Sequence, residues 1–206
     1  MNDAHRIETL AQLEALYAEV SEASIKKEVS FIHPVYRQWL EASPFAVLAT
    51  VGPNGLDASP RGDPPGLVTV LDEKTLLLPE RRGNNRIDSL RNILTDPRVA
   101  LLFFIPGIGE TLRVNGRASI STAPELVLRF EMEGKLPRCV LVIEVEAVFF
   151  QCARALHRSK LWQPSPPELL GKVPSAGTIL EALTESAIDG KGYDQALPER
   201  QRSTLY

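Results

Sequence analysis

The chain has 206 residues and a formal net charge of −3, and 44% of its residues are hydrophobic. These values are typical of one globular domain with a buried core and exclude disorder throughout the chain. The acidic excess excludes an overall basic surface for nucleic acid, and the longest apolar run, Val99 to Ile105, is too short to span a membrane.

The first six residues contain no apolar signal-peptide region, and the sequence predicts a soluble cytoplasmic protein. Cys139 and Cys152 are too few for a disulfide framework and lack metal-ligand spacing. We expect both to be free thiols in a reducing compartment.

The N-terminal 43 residues show helical spacing. Residues 8–20 place Leu10, Leu13, Leu16, Tyr17 and Val20 on one face, which predicts a helix packed against another apolar surface. Residues 34–42 predict a second helix, with Pro34 in its first turn.

From residue 45 the pattern changes to short apolar runs separated by turn signals. Gly52-Pro53-Asn54-Gly55 predicts a tight turn, because proline presets φ and Asn-Gly tolerates positive φ. The predicted strands are 45–51, 56–59, 67–71, 75–78, 99–105, 111–121 and 139–150.

Two helices interrupt these strands. Helical spacing from 85 to 95 ends at Asp96-Pro97, and Thr122 with Glu125 forms a capping-box pattern that opens a helix to about Gly134. The tail after 163 is rich in proline and then helical around Ile179 to Leu183. Six or seven strands joined mostly as hairpins predict an antiparallel barrel or sandwich of mixed α+β class, mainly β.

Common catalytic and nucleotide-binding signatures are absent. The sequence has no phosphate-binding Walker loop, no Gly-x-Gly-x-x-Gly, no His-Glu-x-x-His and no Gly-x-Ser-x-Gly. Its three histidines are scattered along the chain, which gives no support to a metal site.

The segment Ser59 to Gly66 contains three prolines and two glycines between predicted strands, and Ser59, Arg61 and Asp63 add polar groups. We expect a stiff loop whose glycines, including Gly62, let the backbone approach a ligand closely. A tight connection held by an Arg61–Asp63 pair is the structural alternative.

The segment from Glu80 to Arg86 precedes a predicted helix and contains Arg81, Arg82 and Arg86. A helix N-terminus offers free N–H groups and the positive end of the dipole, and Asn84 or Asn85 suits its N-cap. An anion, above all a phosphate, fits this pattern, whereas a solvated basic turn is the alternative.

A second basic stretch runs from Arg154 to Trp162 and includes Arg158. Trp162 would cover a flat ring, plug the core or lie at a subunit interface.

The order of these features resembles the pyridoxamine 5'-phosphate oxidase-like flavin-binding split-barrel superfamily over about residues 44–150. The resemblance is carried by the strand and turn from Phe45 to Gly55, the run from Arg91 to Phe103, and Leu112 to Ala118. Residues 78–89, with Gly83-Asn84-Asn85-Arg86 and Asp88-Ser89, resemble an uncharacterised subgroup described as probable FMN-dependent.

The resemblance implies a six- or seven-stranded split β-barrel over 44–162, with helical extensions at 1–43 and 163–206. It implies a homodimer with FMN at the subunit interface, the phosphate at Arg81 to Ser89 and the loop of Ser59, Arg61 and Gly62 along the flavin edge. Thr111 falls where the oxidases have a glutamine facing the flavin. The implied cofactor-binding set is therefore Ser59, Arg61, Gly62, Arg81, Asn84, Asn85, Arg86, Ser89, Thr111, Arg158 and Trp162.

The chain also departs from the oxidase pattern. Ile87, Asp88 and Ser89 stand where the oxidases have Ser-Arg-Lys, and the C-terminal Arg-Leu-His-Asp-Arg substrate motif is missing. The resemblance therefore favours an FMN-dependent oxidoreductase that uses a nicotinamide or small organic donor, not pyridoxamine phosphate oxidation. A non-catalytic flavin or haem carrier or sensor, and an all-β module with an acidic partner, are the alternatives.

Overall fold

The computed structural model describes residues 5–206. Seven strands form one antiparallel sheet in the order β2-β1-β5-β6-β7-β4-β3. The strands are β1 Phe45–Gly52, β2 Gly55–Gly62, β3 Thr69–Val70, β4 Thr75–Pro79, β5 Arg98–Phe104, β6 Thr111–Ser121 and β7 Val140–Gln151. The outer strands β2 and β3 do not pair with each other, so the sheet is an open barrel of α+β class, as the sequence predicts.

The described residues also form nine helices. They are α1 Leu10–Glu14, α2 Glu22–Lys26, α3 Pro34–Ala42, α4 Asp88–Thr95, α5 Pro124–Val127, α6 Arg154–Ser159, α7 Pro167–Leu170, α8 Ala176–Leu183 and α9 Gly190–Ser203. A 3₁₀ turn, Leu128–Phe130, follows α5.

The core lies inside the curved sheet. In the four central strands β1, β5, β6 and β7, alternate side chains point inward and most of them are buried. Leu48, Phe103, Leu112 and Ile143 are each at 0% exposure. Burying a side chain of this size contributes about 1.5–3 kcal/mol, so this inner layer is the main source of stability.

The predicted turn at Gly52 to Gly55 is confirmed, and it joins β1 to β2 as a hairpin. Gly55 has φ +108°, a conformation that a side chain would strain. Gly52 has a different role: a Cβ there would lie 1.9 Å from Asn92 Oδ1, so the glycine lets α4 pack closely on β1.

The N-terminal prediction is wrong in part. The helix is confined to Leu10–Glu14, and the stripe expected to pack is exposed, with Leu10 at 68% and Tyr17 at 74%. The predicted helix 34–42 is confirmed, and its Leu40 is buried. The sequence shows no signal-peptide region in residues 1–6, and the first four of these residues lie outside the described part of the chain.

The predicted capping box at Thr122 is also wrong. The N-cap of α5 is Ala123, which makes no side-chain capping bond, and helical structure ends at Phe130 rather than near Gly134. Pro124 at the first helical position explains the start without a cap, since it has no N–H to satisfy.

Candidate functional site

A cleft of about 550 Å³ lies between the edge strand β2 and the segment that joins β4 to α4. Strand β2 presents Asp57, Ser59 and Arg61 to this cleft, while Leu56 on the opposite face is 88% exposed. An edge strand also tolerates Pro60, which cannot donate to a ladder. The predicted loop from Ser59 is therefore strand as far as Gly62, and period-two alternation aims its polar side chains at the cleft.

The opposite wall is the segment from Glu80 to the start of α4. The predicted N-cap, Asn84 or Asn85, is wrong: the N-cap is Ile87, which is left-handed at φ 54° and makes no side-chain capping bond. Its conformation is unusual for a β-branched residue. The first N–H groups of α4 are therefore uncapped where Ile87, Asp88 and Ser89 line the cleft.

Arg61 is held by several neighbours at once. Its Nη1 donates to Ser59 Oγ at 2.6 Å and to the Pro60 carbonyl at 3.0 Å, and Nη2 lies 3.2 Å from Glu80 Oε2. Its buried Nε has no hydrogen-bond partner among residues 5–206. Arg61 therefore pairs with Glu80 across the gap between β2 and β4, not with Asp63 as the structural alternative expected.

Glu80 is a buried carboxyl group that faces this guanidinium. Burial raises the pKa of Glu80 above its ordinary value, and the nearby positive charge of Arg61 opposes that rise only in part. The thiol of Cys139, adjacent in space, has its pKa raised by burial and by the charge of Glu80. The cleft therefore contains a carboxyl group that takes up protons more readily than an ordinary glutamate.

Asp63 pairs with Arg81 instead. Arg81 Nε lies 2.8 Å from Asp63 Oδ2, and its Nη1 donates to the Phe130 carbonyl at 2.6 Å. The Tyr206 ring lies over the guanidinium at 5.4 Å. Asp63 is 5% exposed, so this pair is a structural link between the ends of β2 and β4.

Ser89 and Asp57 connect the helix to the strand. Ser89 Oγ donates to Asp57 Oδ2 at 2.6 Å, and Ser89 is buried. One turn later, Asn92 Nδ2 donates to Thr50 Oγ1 at 3.0 Å. These two bonds fix the start of α4 against the β1–β2 hairpin, and the Ser89 hydroxyl already has an acceptor.

The remaining basic groups of this wall differ in their partners. Arg86 pairs with Asp88 at 2.7 Å. Arg82 lines the cleft and forms no ion pair or side-chain hydrogen bond within the part of the chain that the structure describes. Of the four arginines that line the cleft, Arg82 alone has no carboxylate partner among the described residues, and we call it the uncompensated cation of the cleft.

The two asparagines stabilise the connecting segment. Asn84 Oδ1 accepts from the backbone N–H of Arg86 at 3.1 Å, and Asn85 Oδ1 accepts from Arg138 Nη1 at 3.1 Å. Asn85 has φ 60°, a conformation that asparagine adopts more easily than most residues.

Most of the eleven predicted site residues line the cleft. Seven of them line the cleft: Ser59, Arg61, Gly62, Arg81, Asn84, Arg86 and Ser89. Asn85 belongs to the same connecting segment but is not among the lining residues.

Three predicted residues lie outside the cleft of the single chain. Thr111 is buried at the start of β6, with its hydroxyl 3.4 Å from Gln151 Oε1. Arg158 is in α6, and Trp162 Nε1 donates to the Ile108 carbonyl at 2.7 Å. Trp162 is 39% exposed and does not plug the core.

Three residues that line the cleft are absent from the predicted cofactor-binding set: Asp57, Glu80 and Arg82, although Arg82 belongs to the basic segment predicted to bind an anion. The sequence did contain a signal that Asp57 belongs to the site. Asp57, Ser59 and Arg61 are polar residues two apart, and residues at this spacing lie on one face of a strand. The roles of Glu80 and Arg82 depend on which neighbours they meet across the sheet gap.

The described residues contain no group of three or more potential metal ligands. None of the helices in the range 5–206 is long and apolar enough to cross a membrane.

Comparison with solved structures finds similar folds at low identity. HupZ of Group A Streptococcus is 22% identical, with 59% of this chain and 94% of that chain covered and a TM-score of 0.48. General Stress Protein 26 of Bacillus anthracis is 18% identical, with 54% and 86% covered and a TM-score of 0.41. A search of curated proteins finds no match.

The family model described as pyridoxamine 5'-phosphate oxidase matches residues 32–152. This range is more than half of the chain, includes all seven strands and contains both walls of the cleft. The chain belongs to the pyridoxamine 5'-phosphate oxidase-like family.

Proposed function

We propose that this protein binds FMN in the cleft and acts as a flavin-dependent oxidoreductase. The observation that carries the proposal is the juxtaposition of an uncapped helix start and an uncompensated Arg82 with the polar face of β2. The cleft volume of about 550 Å³ lies within the range of small-molecule and cofactor sites.

The phosphate of FMN would bind at the start of α4. Uncapped N–H groups at a helix start attract anions. Arg82 adds a positive charge, and a phosphate can bind to it without first displacing a carboxylate partner. Arg86 would contribute more weakly, since Asp88 already holds its guanidinium at 2.7 Å. Ser89 contributes its backbone N–H rather than its hydroxyl, which donates to Asp57.

The ring system of FMN would lie along Ser59, Arg61 and Gly62. The unpartnered Nε of Arg61 is a donor that an acceptor atom of the ring would satisfy. A bound FMN supplies hydride and electron transfer between a donor, such as NAD(P)H or a small organic molecule, and an acceptor. Arg61 would hold a fixed positive charge beside the ring, and Glu80 would keep that guanidinium in place.

We also propose a homodimer in which the cofactor lies at the subunit interface. The outer face of β1 and β5 carries the half-exposed apolar side chains Val47, Ala49 and Leu102, which a second copy would cover. Thr111, Arg158 and Trp162 could then approach a cofactor bound by the other copy. Residues 44–162 would form the flavin-binding unit, and 1–43 and 163–206 would shape access to it.

The alternative, a non-catalytic flavin or haem carrier or sensor, differs in its ligand chemistry. No histidine, cysteine, methionine or tyrosine is among the described residues that line the cleft, and these are the usual axial ligands of haem iron. The lining therefore favours flavin over haem at this position. A flavin carrier and a flavin enzyme differ in whether a donor reduces the bound cofactor.

The test is FMN titration of the purified protein followed by flavin fluorescence and absorbance. We expect saturable binding, bleaching of the bound flavin by NADH or NADPH without oxygen, and a mass by light scattering of twice the monomer. The proposal would be overturned if FMN neither bound to the protein nor raised its melting temperature. Binding without bleaching by any donor tried would favour the carrier.

A further inference from the structure

Two buried polar atoms beside the cleft have no hydrogen-bond partner among residues 5–206. They are Nε of Arg61 and Oε2 of Glu80, whose side chains belong to one ion pair. The two side chains are 13% and 22% exposed, and both line the cleft. Because buried polar groups are nearly always hydrogen-bonded, an ion pair in which each partner keeps an unpaired atom is only partly compensated.

Glu80 is the member of this pair that can change its charge. Arg61 remains charged at every physiological pH. Arg61 from β2 and the thiol of Cys139, just before β7, are the titratable groups that interact electrostatically with Glu80. Burial raises the pKa of the thiol, so it is neutral near pH 7, and the next residue, Arg81, already pairs with Asp63 at 2.8 Å. Burial also raises the pKa of Glu80, which brings its uptake of a proton closer to neutral pH.

The guanidinium of Arg61 is fixed between Glu80 and the open cleft. Its Nη1 donates to Ser59 Oγ at 2.6 Å and to the Pro60 carbonyl at 3.0 Å, and these bonds hold it on its own strand. Glu80 is held in turn by its backbone N–H, which donates to the Cys139 carbonyl at 3.0 Å. An anion that enters the cleft at Arg61 therefore shares one positive charge with Glu80.

Two negative charges beside one positive charge repel each other, and this repulsion is stronger in a partly buried site than in water. Protonation of Glu80 removes one of the two negative charges. A negative charge beside Arg61 therefore raises the proton affinity of Glu80, because a nearby like charge disfavours the carboxylate. The coupling is reciprocal, so protonation of Glu80 strengthens the binding of that charge by the same factor.

We propose that Glu80 is the proton acceptor of the cleft and acts through Arg61: each negative charge that develops beside Arg61 is balanced by one proton taken up from solvent on the Glu80 carboxylate. Glu80 reaches the ligand only through the guanidinium, so it is a positioning residue.

The application of this proposal to flavin rests on the proposed function. Hydride transfer from NAD(P)H adds two electrons and one proton to bound FMN, releases NAD(P)⁺ and leaves one additional negative charge on the cofactor. Glu80 then binds one proton from solvent. Two electrons and two protons thus enter the site together, and its net charge does not change.

The first test uses the protein without FMN and follows the pH titration of Glu80 by NMR, with glutamate labelled at the side-chain carboxyl carbon. The resonance is assigned as the one that Glu80→Gln removes. Arg61→Gln removes the positive charge, as full neutralisation by an anion does, and we expect the pKa of Glu80 to rise by about one unit or more. Arg61→Lys retains the charge and should keep the pKa close to that of the parent. Arg129→Gln, at an exposed arginine outside the cleft, is the matched control and should leave it unchanged.

The second test uses the FMN-loaded protein and measures the midpoint potential of the bound flavin as a function of pH. The slope gives the number of protons taken up with two electrons. Above the pKa of Glu80 found in the first test, we expect the parent to take up one proton more than Glu80→Gln. Glu168→Gln, at an exposed glutamate outside the cleft, should match the parent.

The outcomes separate this proposal from the proposed function. Equal slopes for the parent and Glu80→Gln would overturn the proposal while FMN binding stands. An unchanged Glu80 pKa in Arg61→Gln would overturn it whether or not FMN binds. A shifted pKa in a protein that never binds FMN would support the coupling of Glu80 to Arg61 and contradict the flavin proposal. If Arg61→Gln does not fold, the slopes of the parent and Glu80→Gln decide.

Discussion

Arg61 and Glu80 face each other across the opening of the sheet, with guanidinium Nη2 3.2 Å from carboxylate Oε2. Strand β2 carries Arg61, and Glu80 follows β4 directly; no backbone ladder joins these two strands. The neighbouring pair of Asp63 and Arg81 joins the same two strand ends. Two ion pairs thus close the barrel where the hydrogen-bond ladder leaves a gap, and the cleft lies beside them.

Arg82 is the residue whose replacement should most directly weaken FMN binding. Arg82→Gln removes the cleft arginine that has no carboxylate partner among the described residues, and with it a charge-assisted bond to phosphate. We expect the Kd for FMN, measured by fluorescence quenching, to rise about tenfold or more. Arg129→Gln, at an exposed arginine outside the cleft, is the control and should bind FMN as the parent does.

Glu80 should give the protein a specific dependence of stability on pH. Because its folded-state pKa is raised above the ordinary value of 4.5, the folded protein holds this proton more tightly than the unfolded chain does. The stability that this proton contributes is present below about pH 4.5 and is lost as pH rises through the folded-state pKa.

Glu80→Gln removes that titration. We therefore expect the free energy of unfolding of the variant to increase relative to the parent as pH rises above about 4.5, as measured by urea denaturation at a series of pH values that starts below this point. Glu168→Gln, at an exposed glutamate without an ion pair among residues 5–206, should follow the parent at every pH. A constant difference for Glu80→Gln would contradict the raised pKa.

Asp63 should matter for stability more than the exposed ion pairs do. Asp63→Asn leaves the largely buried Arg81 guanidinium without its carboxylate, and we expect a loss of about 2 kcal/mol, since Arg81 retains the Phe130 carbonyl. Glu199→Gln breaks a pair whose two side chains are about three-quarters exposed, and should cost less than about 0.5 kcal/mol. Equal losses in urea denaturation would show that the Asp63 pair is not a structural link.

Gly52 should resist enlargement because of Asn92. Gly52→Ala would place a Cβ 1.9 Å from Asn92 Oδ1, and the asparagine could yield only by giving up its bond to Thr50. We expect a loss of about 1–3 kcal/mol in the free energy of unfolding.

A double-mutant cycle with Asn92→Ala tests this contact. Once the side chain of Asn92 is removed, Gly52→Ala should cost much less, and the two changes should be clearly non-additive. Gly83→Ala is the control for added volume, because a Cβ there meets nothing within 4 Å. Additive losses would mean that the close approach of α4 to β1 is not the cause.

Much of the fold was predictable because it depends on local patterns. The apolar run at 45–51, the strand pattern along 111–121, the turn at Gly52 to Gly55 and the helix 34–42 each depend on residues close in sequence. The N-terminal stripe at Leu10 to Val20 failed because periodicity shows that a face is apolar, not that a partner surface exists within the same chain.

The candidate site was predictable as two segments but not as one site. Arg61 and Arg81 were recognised from their loops, yet their carboxylate partners are exchanged relative to the local expectation, Glu80 for Arg61 and Asp63 for Arg81. Ile87 replaced the asparagines as N-cap because the bonds of Ser89 to Asp57 and of Asn92 to Thr50 set where α4 begins against the hairpin. Such long-range contacts outweigh a capping preference of about 1 kcal/mol.

The sequence by itself determined the antiparallel α+β class, the order of the strands along the chain and the concentration of arginines between β4 and α4. Only the tertiary structure decided that β2 turns its polar face to those arginines, and that Arg82 alone among the cleft arginines has no carboxylate partner within residues 5–206. The physical reason is range: strand and helix patterns arise from neighbours along the chain, whereas charge compensation depends on groups brought together by the curvature of the sheet.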